Sequence, residues 1–197
     1  MNKEFEFSIA TTWDGEPLNH SPVEFKVSAV DETSVKVDVR GPLFNDPGPP
    51  PAPSGSPCPE LWEFEVAEIF FLGADDKYLE VELSPHGQHL VLLLNGMRNM
   101  IKDKLALSYS ATKDNVQKKW KGSATIPLDY FPPGVVKLNA YAIHGTGHDK
   151  CYEALYPATK EFDRPDFHRL QFFKNFNFSA LFPASWKQPG STYWTTG

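Results

Sequence analysis

Apolar and polar side chains alternate with a period of two residues along most of this 197-residue chain. Successive side chains of a strand point to opposite faces of a sheet, so this period predicts strands rather than amphipathic helices. The alternation is clearest over residues 5–9, 23–27, 35–39, 105–111, 118–126, 135–143 and 151–156. Roughly ten short strands without a long helix predict an all-β fold, a two-sheet antiparallel β-sandwich, with a closed barrel as the alternative.

Three strands form the most apolar part of the chain and are the expected centre of a sheet: 61–72, 78–84 and 89–94. In the second of them Tyr78, Glu80, Glu82 and Ser84 share one face, which we expect to be solvated, as in many antiparallel sheets. In the first, Glu68 has the parity of the apolar residues around it. A bulge would turn Glu68 outward, and without one its carboxylate is buried and needs a partner.

The length favours a single domain, 1–197. Residues 41–59 contain eight prolines and three glycines, which resist regular structure and predict a loop that leaves the sandwich and returns. Residues 160–197 are rich in aromatic side chains, too apolar to be left in water, and we expect them to wrap the sandwich.

The charge balance and the apolar runs exclude some partners. Nineteen Lys and Arg against 25 Asp and Glu give a net charge of -6, which does not suit nucleic acid. The longest apolar run, Leu90–Leu94, is far shorter than the ~18 residues of a membrane span, and no export signal is visible. Two cysteines are too few for a disulfide framework, so we expect a soluble cytoplasmic protein with reduced thiols.

Few motifs of catalysis or cofactor binding are present. We find no nucleophile elbow, phosphate-binding glycine loop or dinucleotide fingerprint, and expect no cofactor. His86, His89 and His144 lack the spacing of a zinc site, so no metal is expected. Glu80 and Glu82, about 7 Å apart on one strand, meet the carboxylate spacing of an inverting glycosidase. A hydrolase using Glu68, Glu80 or Glu82 therefore stays open as an alternative.

One stretch carries a resemblance to a known family. Trp62, then Glu68 and Ile-Phe-Phe-Leu72, then the run from Tyr78 to Gly87 resemble the carbohydrate-binding modules of family nine and the wider DOMON-like sandwiches. The resemblance covers residues 61–94. It implies a sandwich fold in which Trp62 and Glu68 hold the end of a glycan. A late strand offers Tyr156 where those modules usually have Trp, and Arg98 is an approximate counterpart of their sugar-binding arginine.

A second resemblance covers most of the chain. It is carried by Trp13-Asp-Gly15, Glu60-Leu-Trp62, Tyr78 to Leu94, Ala142-Ile-His-Gly145, Tyr152 to Pro157 and Phe176-Asn-Phe178. These segments are similar to an uncharacterised animal protein family named only as chromosome four open reading frame thirty-three. That likeness implies the sandwich fold and an intracellular location, and it brings no activity with it.

The functional prediction is a non-catalytic binding module for a carbohydrate or other small polar ligand. We expect Trp62, Glu68 and Tyr156 to line one site, with polar neighbours Arg98, Glu80, His86 and His144. An aromatic ring can stack on the C–H face of a sugar while charged acceptors bind its hydroxyls. An intracellular interaction scaffold, using the proline-rich loop and the aromatic tail, is the other non-enzymatic alternative.

Overall fold

The structure, a computed structural model, describes residues 3–195, which form 13 β-strands and several 3-10 turns. The strands are β1 (Phe5–Ile9), β2 (Thr11–Thr12), β3 (Val23–Ala29), β4 (Ser34–Pro42), β5 (Val66–Leu72), β6 (Lys77–Leu83), β7 (His89–Asn95), β8 (Met100–Lys102), β9 (Ser108–Asp114), β10 (Lys119–Pro127), β11 (Lys137–His144), β12 (Cys151–Ala154) and β13 (Lys174–Asn175). None of the helical turns in the described residues is long and apolar enough to span a membrane.

The strands pair antiparallel in two sheets, which confirms the predicted β-sandwich. One sheet has the order β1-β3-β4-β10-β9, and the other has β2-β12-β11-β5-β6-β7-β8, with β13 also paired to β11. The expected centre, β5 to β7, lies inside the second sheet. The expected strand at 61–72 begins later than predicted, because Leu61–Glu63 forms a 3-10 turn that buries Leu61 and leaves Trp62 at the surface.

Two apolar layers, rather than one, stabilise the fold. The inner layer fills the space between the sheets and includes Phe25, Phe71 and Ile126. The outer layer lies on the far face of the second sheet and includes Phe70 and Tyr141. Because both faces of β5 are covered, all seven of its residues are buried, and its sequence reads as a nearly continuous apolar run.

The proline-rich loop covers part of the outer layer. Its backbone is held to the turn between β6 and β7: Gly55 N donates to Gly87 O over 2.8 Å, and Cys58 N donates to His89 O over 2.8 Å. The Gln88 amide also donates to Ala52 O over 2.7 Å. These bonds hold the loop over the last residues of β6 and shield that end of the strand from water.

The aromatic-rich tail contributes to both layers. Phe167 and Phe173 belong to the outer layer, whereas Phe176, Phe178 and Phe182 belong to the inner one. Between them the two-residue strand β13 pairs with β11, which fixes the path of the tail across the sheet edge. The tail therefore covers the outer face of the second sheet beside β11 and β12.

Candidate functional site

A cavity of about 320 Å³ opens over the outer face of the second sheet. Its floor comes from β5, β6, β7 and β11, and its walls come from the 3-10 turn at 61–63, the turn after β7, β12 and the tail. The lining residues are Trp62, Glu68, Glu80, Leu92, Leu94, Arg98, Met100, Ile143, Tyr152, Pro165, Asp166, Phe167 and His168. The structure thus brings together four of the seven residues proposed from sequence: Trp62, Glu68, Arg98 and Glu80.

Three glutamates lie side by side beneath this cavity. Glu68 on β5 is directly opposite Glu82 on β6, and Glu80 is two residues before Glu82 on the same face. They are 2%, 4% and 0% exposed in the order Glu68, Glu80, Glu82. Glu68 and Glu80 reach the cavity, whereas Glu82 lies deeper, beside Cys58 of the proline-rich loop.

Burial changes the protonation of all three carboxyls in the same direction. Loss of hydration raises the pKa of Glu80 to about 8, despite the opposing charge of Arg98. Loss of hydration, together with the charges of Glu68 and Glu80, raises the pKa of Glu82 well above its usual value. Loss of hydration and Glu80 likewise raise the pKa of Glu68. Burial thus favours the neutral form of all three carboxyls, and Glu68 Oε1, Glu80 Oε2 and both Glu82 oxygens have no hydrogen-bond partner among the described residues.

The prediction that the polar face of β6 is solvated is wrong. Tyr78, Glu80, Glu82 and Ser84 are all buried, because the loop at 41–59 and the tail lie over that face. The register of β5 with β6 is regular, so no bulge turns Glu68 outward. Glu68 follows the parity of its apolar neighbours, and the layer it enters is the outer one.

A hydrogen-bonded network forms the polar wall of the cavity. The Arg98 guanidinium donates to Asp166 Oδ1 over 2.7 Å, and the same oxygen accepts His168 N over 2.9 Å. Arg98 N donates to Tyr78 Oη over 3.1 Å, and Tyr78 Oη lies 2.7 Å from His168 Nδ1. Burial, helped by Arg98, lowers the pKa of His168 to about 4, so its ring is neutral. In the tautomer in which Nδ1 accepts from the tyrosine, Nε2 carries the ring proton and is a donor.

Aromatic rings form the remaining walls. Trp62 is 38% exposed at the cavity mouth. Phe167 stacks on Tyr141 with ring centroids 3.9 Å apart, and Tyr152 meets Phe167 edge to face at 6.0 Å. The ammonium of Lys150 lies over the Tyr152 ring, 5.6 Å from its centre, which is a further contact that holds this ring. The cavity therefore offers flat apolar surfaces above a polar floor.

Tyr156 lies outside the cavity, and Tyr152 takes the place expected for it. The paired residues of β12 end at Ala154. Beyond it, the Asn139 side chain binds the backbone of Tyr156: Oδ1 accepts a hydrogen bond from Tyr156 N over 3.0 Å, and the amide nitrogen donates to Tyr156 O over 2.9 Å. The Tyr156 side chain then packs against the inner layer. Two residues earlier than Ala154, Tyr152 still faces the outer layer.

His86 and His144 also lie away from the cavity. His86, in the turn between β6 and β7, has its Nδ1 2.6 Å from Lys113 Nζ of β9. His144 ends β11, where its Nε2 is 2.9 Å from Glu153 Oε1 and its ring stacks on Phe44. Among the lining residues, the sequence pattern does not single out Asp166, Phe167 or His168, since the tail is far from the sheet along the chain.

A second, larger depression of about 500 Å³ covers the outer face of the five-stranded sheet. Its charged side chains pair with one another, as in Lys36 with Asp38 and Arg40 with Glu24. The arginine and lysine are largely exposed, so water screens these pairs and each stabilises little. The smaller cavity is the better candidate because two of its carboxyls, those of Glu68 and Glu80, are desolvated.

The geometry suits recognition of a neutral polar molecule. A neutral carboxyl donates one hydrogen bond and accepts others, which matches hydroxyl groups that both donate and accept. A glycosidase instead needs two carboxyl groups with pKa values pushed apart, so that one is protonated and the other ionised. Here the same cause raises the pKa values of Glu68, Glu80 and Glu82 together.

The two sheets define an antiparallel β-sandwich whose fold resembles that of carbohydrate-binding modules. The fold is similar to that of a protein from Bacteroides uniformis proposed to bind carbohydrate, with a TM-score of 0.61 and 15% identity over 88% of this chain and 85% of that one. It is also similar to a family 9 carbohydrate-binding module from Caldicellulosiruptor kristjanssonii in complex with glucose, with a TM-score of 0.51 and 12% identity over 90% and 81% of the chains.

The sequence places the chain in a narrower group. It is 49% identical to the UPF0462 protein C4orf33 homolog of Mus musculus over 96% of this chain and 100% of the relative. It is 47% identical to UPF0462 protein C4orf33 of Homo sapiens over 96% of each chain, and 44% identical to the Danio rerio homolog over 96% and 97%. The chain belongs to this UPF0462 family. No protein-family model matches it.

Proposed function

We propose that this protein is a non-catalytic binding module whose outer-face cavity holds a sugar or a similar polyol. The observation that carries the proposal is the combination, in one cavity of about 320 Å³, of a desolvated carboxyl floor with aromatic walls. Small-ligand sites are commonly about 300–1,000 Å³, so this volume suits a ligand of one or two sugar rings.

Each part of the cavity has a partner on such a ligand. Trp62 is exposed at the mouth, where its ring can cover the C–H face of a sugar. Glu68 and Glu80 lie on the floor, where neutral carboxyls can exchange hydrogen bonds with hydroxyl groups. A ligand without those hydroxyls leaves buried polar groups unpaired, which gives the site its selectivity. The likeness of the fold to carbohydrate-binding modules supports the same ligand class.

The pKa values of the three carboxyls are all raised, which favours a binding site over a hydrolytic one. Glu82, the most buried of them, does not reach the cavity, and Glu68 and Glu80 are both pushed toward the neutral form. The scaffold alternative loses support because the proline-rich loop is bonded to the protein's own sheet. We therefore propose neither a glycosidase nor a scaffold.

Binding is tested by glycan-array screening of the full chain, followed by titration calorimetry with the strongest hit. We expect Trp62→Ala and Glu80→Gln each to weaken binding by about tenfold or more, which is at least 1.4 kcal/mol. Trp186→Ala is the matched control, since this half-buried tryptophan packs on Phe182, outside the cavity lining. It should bind like the parent.

Two results would overturn the proposal. One is a parent protein that binds no glycan or polyol at millimolar concentration. The other is turnover of nitrophenyl glycosides that disappears in Glu80→Gln, which would make the cavity a hydrolytic site.

A further inference from the structure

A second cluster of chemically active side chains lies outside the cavity, where β11 and β12 meet the loop before β3. His20 Nε2 is 3.0 Å and His144 Nε2 is 2.9 Å from the same oxygen, Glu153 Oε1. The three donor atoms of this histidine–glutamate cluster lie within 4.8 Å of one another. Two imidazole nitrogens and one carboxylate oxygen thus converge on a single point.

The cluster is preorganised by groups around it. The His144 ring stacks on Phe44 with centroids 3.6 Å apart, and the His20 ring meets both of these rings edge to face. Glu65 in turn accepts hydrogen bonds from Phe44 N over 3.1 Å and from Asn45 N over 2.6 Å. These contacts with half-buried rings therefore hold the His144 ring in position.

Glu153 is fully buried and incompletely bonded. Its side chain is 0% exposed, and its Oε2 has no hydrogen-bond partner among the described residues. The histidine side chains are only 18% exposed for His20 and 12% for His144. A buried carboxylate is costly unless it is paired or coordinates a metal, so this oxygen points to a further cationic partner.

The tautomer of His20 also indicates a cationic partner for this cluster. His20 Nδ1 lies 2.9 Å from Ser21 O, and a carbonyl oxygen can only accept, so Nδ1 carries the ring proton. In a neutral ring Nε2 presents its lone pair to the carboxylate oxygen of Glu153, and two lone pairs repel, whereas a doubly protonated ring would pair with that oxygen. A metal ion between them removes the repulsion, and a backbone carbonyl on the other ring nitrogen is typical of metal-binding histidines.

We propose that His20, His144 and Glu153 form a binding site for a divalent transition ion of the zinc type. Two imidazoles and one carboxylate are a ligand set that Zn²⁺ accepts, whereas Ca²⁺ and Mg²⁺ prefer oxygen ligands. Bonds of 2.0–2.1 Å in a tetrahedron separate the ligands by about 3.3 Å, within a few tenths of an ångström of the distances to Glu153 Oε1. Three protein ligands leave one position for water or a ligand atom.

The histidines considered from sequence do not form this site together. His89 lies on β7 and His144 on β11, and β5 and β6 separate these strands in the sheet. Three strand spacings are about 14 Å, too far for a shared ion. Sequence spacing could not have revealed the actual set, because His20 and His144 are joined only by the folding of distant segments.

The test is titration calorimetry of the full chain with Zn²⁺ in the presence of a phosphine reductant, repeated with Co²⁺ to record its visible absorption. We expect one ion per chain, and we expect His20→Gln and His144→Gln each to weaken binding by about 100-fold or more. His148→Gln and Cys151→Ser are matched controls: His148 is an exposed neighbour, and Cys151 faces His144 across the β11–β12 ladder. Both should bind within about threefold of the parent.

His20→Gln is the decisive variant, because His20 lies in a partly exposed loop and its loss leaves the sheets unchanged; circular dichroism checks that. A parent that binds no Zn²⁺ at micromolar concentration would overturn the proposal and leave the cluster as an imidazolium–carboxylate pair. Loss of binding in Cys151→Ser with retention in His20→Gln would also overturn it. The result is independent of whether the cavity binds sugar.

Discussion

At the scale of single residues, the buried glutamates dominate the electrostatics of the outer layer. Glu68, Glu80 and Glu82 adjoin one another, and the charges of Lys150 and Arg98, which lower the pKa of Glu68 and of Glu80, do not offset the effect of burial. Removing a carboxylate from water is costly, so the proton is retained instead of the charge. The folded state therefore binds protons that the unfolded chain releases, and this links stability to pH.

We expect the free energy of unfolding to fall between pH 6.5 and 8. Each of these carboxyls has a higher pKa in the folded protein than the 4.5 it has in the unfolded chain. Its contribution to the free energy of unfolding is therefore fully present below pH 4.5. That contribution is lost as the pH rises toward the pKa of the folded state, which is about 8 for Glu80. His168 has the opposite effect, because its pKa is lowered in the folded protein: it makes stability rise with pH between about pH 4 and 6.5. Above that range its ring is neutral in both the folded and the unfolded state, so it no longer affects the pH dependence.

Glu82→Gln should weaken the dependence of stability on pH, because the amide keeps the shape of the neutral carboxyl and cannot ionise. We expect the variant to exceed the parent in stability at pH 8 by about 1–2 kcal/mol. Urea unfolding at pH 6.5, 7.2 and 8.0 measures it. Glu32→Gln, at an exposed position, is the control and should follow the parent. A parent whose stability is flat over this range would contradict the assignment of raised pKa values.

Trp62→Ala separates binding from packing at the residue scale. Because Trp62 is 38% exposed, we expect the substitution to cost only about 1 kcal/mol of stability. Phe70→Ala, at a fully buried ring in the same layer, should cost about 3–5 kcal/mol. Thermal or urea unfolding compares the two. Equal losses would mean that Trp62 is a core residue rather than a surface for a ligand.

At the scale of elements, the sequence predicts best where a strand has one wet face. β10 alternates from Lys119 to Pro127 as expected, since its sheet is open to solvent on one side. The polar face of β6 was misread because its cover comes from the loop at 41–59 and from the tail, which are remote in sequence. Tyr156 was misplaced for a local reason, since the Asn139 side chain ends the ladder of β12. Four of the residues predicted from sequence line one cavity because β5, β6 and the turn after β7 are neighbours in both sequence and space.

The contact of the proline-rich loop with the β6–β7 turn can be tested through one glycine. Gly87 has a φ of 94°, and a Cβ there would lie 2.1 Å from Ser54 Oγ. We expect Gly87→Ala to cost about 2 kcal/mol, from the positive φ and the clash. Adding Ser54→Gly should recover the part due to the clash.

Gly48→Ala is the control for that pair, because a Cβ there meets nothing within 4 Å and φ is not positive. It should change stability by less than about 0.5 kcal/mol. Chemical denaturation of the parent, Gly87→Ala, Ser54→Gly and the double variant measures the cycle, with Gly48→Ala measured beside them. No recovery in the double variant would show that the Ser54 hydroxyl turns away from the new methyl group without cost.

At the scale of the whole molecule, the tail links the two apolar layers. Asp166, Phe167 and His168 wall the cavity, and a few residues later Phe176 and Phe178 enter the inner layer. The cavity is therefore completed by the same segment that fills the space between the sheets. Its walls cannot loosen independently of the core unless the tail detaches.

This linkage predicts that the described residues unfold as one cooperative unit. Phe178, 2% exposed, packs within 4.8 Å of the Phe131 ring centre and 5.6 Å of that of Phe182, so Phe178→Ala should cost about 3–5 kcal/mol. Far-ultraviolet dichroism reports the sheets, while the fluorescence of variants that keep only Trp186 and Trp194 of the five tryptophans reports the tail. We expect both signals to shift together, to one lower midpoint, because coincident transitions mark a two-state change.

If fluorescence changed at a lower denaturant concentration than dichroism, the tail would be a separate unit. Phe162→Ala, at a half-buried ring of the same tail, is the control and should shift the midpoint much less.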